Sequence, residues 1–127
     1  MEKKVIQVIQ VIQRYIKAMD TGDIELLKSV LHTTYVNCHG DLLRPDQPQR
    51  KDKASDTNPM RWRWAHGAVR KFSLLQLDIL GSVALGKIWL ESEPVTMLLI
   101  VLVKEKEQWF VIGHYPDPRP SVPLPPH

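Results

Sequence analysis

The chain has 127 residues, 43% of them hydrophobic and 24% charged, which suits one folded domain and excludes both wholesale disorder and a fibrous repeat. Its net charge of +3 is too small to mark a nucleic-acid binder by itself. Most of that excess lies between Arg44 and Lys71, where eight basic residues face three acids. A single cysteine, Cys38, excludes an internal disulfide, and no Cys/His spacing suggests a zinc site. No apolar run approaches the length of a membrane helix, and the apolar start is interrupted by Gln7, Gln10 and Gln13 with no cleavage site after it. The expectation is a cytoplasmic protein.

The first element is the tripled phrase VIQVIQVIQ and its continuation. Val5, Val8, Ile9, Ile12, Ile16 and Met19 follow helical spacing without a gap, whereas a strand would scatter them over both faces. A helix is expected despite a β-branched content that costs a few tenths of a kcal/mol per residue. Ile6, Val11 and Tyr15 widen its apolar stripe, as in a helix laid against a sheet. DTGD, from Asp20 to Asp23, supplies a glycine to end this helix and polar side chains to cap a second, DIELLKSVLH.

Next comes a short β-like run, TTYVNCH, and then an irregular, charged segment from Asp41 to about Met60 with room for a short helix. The second half reads as antiparallel strands: Val69 to Leu80, a turn at Gly81-Ser82, Val83 to Glu91, Val95 to Lys104, the hairpin EKE, and Gln108 to Tyr115. MLLIVLV is apolar on both faces, so it belongs inside a sheet covered by helices on one side and by something else, such as a second subunit, on the other. Residues 1–115 thus form one α+β domain with an irregular segment at 41–60. The proline-rich tail, 116–127, is expected to be extended.

The stretch RYIKAMDTGDIELLKSVLH resembles the start of the nuclear transport factor 2-like superfamily, and LDILGSVALGKIWLE with LLIVLVKEKEQWFVIGHY resembles its last strands. The resemblance covers about two-thirds of the chain. It implies a cystatin-like cone, a curved antiparallel sheet packed on N-terminal helices, whose wide mouth takes a small apolar or aromatic molecule without a cofactor. It also implies cones paired as homodimers through their sheets. Members include ketosteroid isomerases, SnoaL-like cyclases and lumazine-binding-like proteins, so it points to a fold and a pocket more than to one reaction. The charged middle departs from the family, which has a third amphipathic helix there.

Matched to ketosteroid isomerase, RYIKAMDTGDIE places Tyr15 on its oxyanion-binding tyrosine and VNCHG places His39 at or beside its proton-moving carboxylate. The second oxyanion donor falls on or beside Ile100, where no acid stands, which removes the steroid isomerase reaction itself. The resemblance therefore nominates Tyr15 as donor and His39 as base in a cofactor-free isomerase, dehydratase or cyclase. The alternative is a non-catalytic dimerisation or interaction module with a filled pocket. His114 alternates with Phe110 and Ile112, and Tyr115 with Trp109 and Val111, so one of the two sets faces the pocket. Trp62, Trp64 and Trp89 are the remaining candidates for a pocket wall or a dimer interface. Arg61 and Arg63 alternate with the first two tryptophans as in an ordinary amphipathic strand, which argues against base stacking by MRWRWAHGAVRK. The histidines are too scattered to hold a metal.

Overall fold

A computed structural model describes residues 2–39, 49–57, 70–91 and 96–116; of residues 36–39, 49–52, 55–56, 96 and 116 the backbone alone is described. Helix α1 spans Lys3–Thr21 and buries Val8, Ile12, Ile16 and Met19 together with Val11, Tyr15 and Ala18, while Ile6 stays exposed. Packing of that stripe outweighs the modest β-branched penalty. Gly22 ends the helix with φ 71°, and its N–H donates to the carbonyl of Ala18. Asp23 caps α2, Ile24–Val30, by accepting from the backbone N–H of Leu26 at 3.1 Å. DTGD thus joins two helices, as its residue types predict.

Six strands follow: β1 Leu31–His39, β2 Gln49–Asp52, β3 Phe72–Leu80, β4 Val83–Leu90, β5 Thr96–Glu105 and β6 Gln108–Pro116. A one-turn helix, α3 Lys53–Asp56, follows β2. The stretch read as irregular therefore contains a strand as well as its short helix. QRKD carries no alternation of apolar residues to reveal that strand; its backbone pairing with β1 defines it. The strand order is β2-β1-β6-β5-β4-β3, with every pair antiparallel except β1 with β6. The curved sheet does not close, and β5 lies in its interior as MLLIVLV predicts.

The two helices cover the concave face. Ala84, Ile88 and Leu90 from β4 and Leu98, Ile100 and Leu102 from β5 meet the α1 stripe in one core. A Cβ at Gly86 would stand 3.2 Å from Cδ1 of Ile12, so the missing side chain lets the helix approach β4 closely.

Two strands break strict alternation. On β6, Gly113 pairs with Val101 and Val111 with Leu102, which leaves Ile112 as the extra residue of a bulge. On β3, Leu74 pairs with Ile88 and Gln76 with Lys87, leaving Leu75 as the extra residue. The bulge on β6 corrects the alternation expected for it. Trp109, Val111 and His114, from both sequence sets, share the concave face, while Phe110, Gly113 and Tyr115 register with the convex row Val103, Val101 and Leu99.

Candidate functional site

Among the described residues, three polar side chains meet on the largely apolar helix-covered face. Tyr15 projects from α1, Tyr35 from β1 and His114 from β6. The hydroxyl of Tyr15 lies 2.6 Å from that of Tyr35 and 2.6 Å from Nδ1 of His114. Both neighbouring rings stand edge-on to the Tyr15 ring, at 6.2 Å for Tyr35 and 5.7 Å for His114. The tyrosines are fully buried and His114 keeps 9% of its surface, so the imidazole is the member of the three nearest to solvent.

Proton counting gives this arrangement a direction. Tyr15 has one hydroxyl proton and cannot donate to both partners. With His114 neutral and its proton on Nε2, Tyr15 donates to Nδ1 and accepts from Tyr35. With Nδ1 protonated, the imidazole donates to Tyr15 instead, and the tyrosine hydroxyls turn accordingly. A charge change on the ring is thereby felt at Tyr35, two bonds away.

Local sequence explains the convergence. Tyr15 belongs to the buried side of α1 between Ile12 and Met19. The bulge at Ile112 turns His114 onto the concave face, where it registers with Ile100 of β5 and Asn37 of β1. Ile100 is fully buried, so the position matched to the second oxyanion donor is core. Tyr35 is not among the residues nominated from sequence; its signal is a large aromatic in the short β-like run TTYVNCH.

The other nominated residues are distributed differently. His39 ends β1, its backbone paired with Gln49 of β2 and two residues, about 7 Å, beyond Asn37. Its side chain, like all of Trp62 and Trp64, lies outside the described residues. Trp89 registers with Met97 and Ser73 on the convex face of β4, away from Tyr15 and His114, and its buried indole Nε1 has no hydrogen-bond partner among the described residues. Among the described residues no group of three or more His, Cys, Asp or Glu side chains could hold a metal ion.

Close by, Asp20 at the end of α1 is 2% exposed and holds Arg70, the residue leading into β3. It accepts from the Arg70 backbone N–H at 2.7 Å and from Nε at 2.9 Å, with Nη2 at 2.8 Å. This clamp fixes the start of β3 beneath α1.

No protein-family model and no curated protein matches this sequence. Solved structures do. An NTF-2 like protein of unknown function from Silicibacter pomeroyi is 10% identical, over 91% of this chain and 97% of that one, with a TM-score of 0.74. One from Shewanella baltica is 12% identical over 91% and 95%, TM-score 0.73. A protein of unknown function with a cystatin-like fold from Nostoc punctiforme is 13% identical over 93% and 94%, TM-score 0.69. At such identities the likeness is one of fold, and the chain has the nuclear transport factor 2-like fold.

Proposed function

We propose, taking that fold as premise, that the protein binds a small apolar or aromatic molecule beside His114, and that chemistry there is cofactor-free proton transfer. The observation that carries this reading is the Tyr35–Tyr15–His114 chain. Three hydrogen-bonding side chains in an apolar core cost desolvation that aliphatic residues would avoid, and a bulge aims one of them toward the least buried end. In the reaction class we favour, isomerisation, dehydration or cyclisation, His114 exchanges a proton with the ligand and Tyr15 supports either ring state. His39 is the proposed base if its side chain reaches the same ligand.

The test uses 2-naphthol, a fluorescent aromatic alcohol, as probe. Saturable binding that weakens about tenfold in His114→Ala, equivalent to roughly 1.4 kcal/mol, supports the reading. Absence of saturable binding, or equal affinity in wild type and variant, overturns it.

The rival reading, an interaction module, draws on the convex face. Val83, Leu85, Leu99, Val101, Val103 and Phe110 form apolar rows there, with Val83 48% and Leu85 38% exposed. The other four are half-buried, and apolar rows of this kind support an interface. We place a homodimer on this face, which is compatible with either reading. A cytoplasmic location is proposed from the lone cysteine. No helix among the described residues is long and apolar enough to cross a membrane.

A further inference from the structure

We infer that a second site, independent of the tyrosine–histidine chain, lies in the groove between α1, α2 and the β5–β6 hairpin and takes a small polar anion. The groove has a volume of about 420 Å³, within the range of small-molecule sites. Gln7, Gln10 and Arg14 line it from one face of α1, Gln108 faces them from β6, and Val11 and Trp109 contribute apolar wall. A shallower hollow of about 380 Å³ continues along the helix past Gln10 and Arg14 to Lys17.

Charge selects the ligand. From Lys3 to Lys17, α1 carries Lys3, Lys4, Arg14 and Lys17 and no acid. Among the described residues none of these four cations is paired with a carboxylate. Helix stability does not call for this pattern, because the macrodipole disfavours lysines in a first turn that holds no acid. Glu107, the acid at the groove's rim, already pairs with Lys104 at 3.3 Å.

A free guanidinium accepts a carboxylate or phosphate in a two-point contact, and the glutamine amides can serve the hydroxyl or carbonyl oxygens of the same molecule. Trp109 adds an independent sign. It is 5% exposed and lines the groove, and its indole Nε1–H is buried without an acceptor among the described residues. An N–H in that condition is a donor that a bound oxygen would satisfy after a small side-chain shift. The ligand class is therefore a small molecule with one carboxylate or phosphate on Arg14 and further oxygens toward the amides.

The experiment follows the indole N–H resonance of Trp109, assigned with Trp109→Phe, by heteronuclear NMR at constant ionic strength. Citrate is the carboxylate probe and glucose 6-phosphate the phosphate probe. The expected result is a saturable shift with at least one of them, weakened about tenfold or more in Arg14→Gln, an exposed position. Lys106→Gln, in the turn outside the groove lining, leaves it unchanged. The tighter probe identifies the anionic group. No saturable shift with either probe overturns the site. So does equal affinity in Arg14→Gln, or an identical response to sodium chloride.

Discussion

Tyr15 concentrates the polar energetics of the core in one hydroxyl, because it bridges Tyr35 and His114 at 2.6 Å each. Tyr15→Phe removes both of these bonds, whereas Tyr35→Phe removes only the first of the two and keeps the bond from Tyr15 to the imidazole. Urea unfolding should therefore show Tyr15→Phe costing about 2–3 kcal/mol; a cost near zero would refute the bridging role. Asp20 is a second residue whose loss leaves buried groups stranded. Asp20→Ala takes the acceptor from one backbone N–H and from the Arg70 guanidinium. Because Arg70 is 27% exposed and water can reach part of it, the expected cost is about 2 kcal/mol rather than the full value for a sealed pair. The same residues show what sequence reveals at this scale. Tyr15 is legible from its place in a helical stripe and from a resemblance, both local properties of RYIKAMDTGD. Asp20 read only as turn chemistry, since its partner is 50 residues away, and Tyr35 gains its meaning from contacts with another element.

Periodicity carries over to elements wherever one period holds throughout. The β-branched opening still reads as a helix because its stripe repeats without a gap, and Gly22 and Asp23 mark the junction by residue type alone. β3 and β6 defeat that method in their middles. Leu75 and Ile112 are extra residues that shift the alternation by one, and Leu and Ile give no compositional hint of a bulge. His114 could not be assigned to a face for that reason. The β5–β6 hairpin shows a different conflict between sequence and geometry. Its two-residue turn holds Lys106 at φ 52° and Glu107 at φ 65°, left-handed at both positions, where glycine or asparagine is the economical choice. Glu107→Gly should raise stability by about 1 kcal/mol, seen as a higher melting temperature, with the weak ion pair to Lys104 a small loss against it. An unchanged or lower melting temperature would show that the positive φ carries no strain.

At the scale of the whole molecule, the open sheet is tied across its middle and leaves Val83 and Leu85 exposed on its outer surface. His32, in β1, meets Glu105, at the end of β5, with Nε2 2.5 Å from Oε2, which bridges the intervening β6; the His32 ring also stands edge-on to Phe110. The hydrogen bond from His32, and then its charge, hold the Glu105 carboxyl below its ordinary pKa. A carboxyl lowered on folding stabilises the native state above its unfolded-state value, and that contribution is lost as pH falls through the lowered folded value. Glu105→Gln should thus be less stable than the parent near neutrality, and the gap in urea midpoint should close on acidification; a gap that does not vary with pH would assign the contact to shape alone. The proposed dimer is tested by Leu85→Glu. Leu85 lies on the convex face opposite Val101, 38% exposed, so a carboxylate there meets solvent in a monomer but must be desolvated against an apolar partner in a dimer. Sedimentation equilibrium should find the parent as a dimer and Leu85→Glu as a monomer with the same circular dichroism. A monomeric parent, or a variant that stays dimeric, would remove the convex face from the interface.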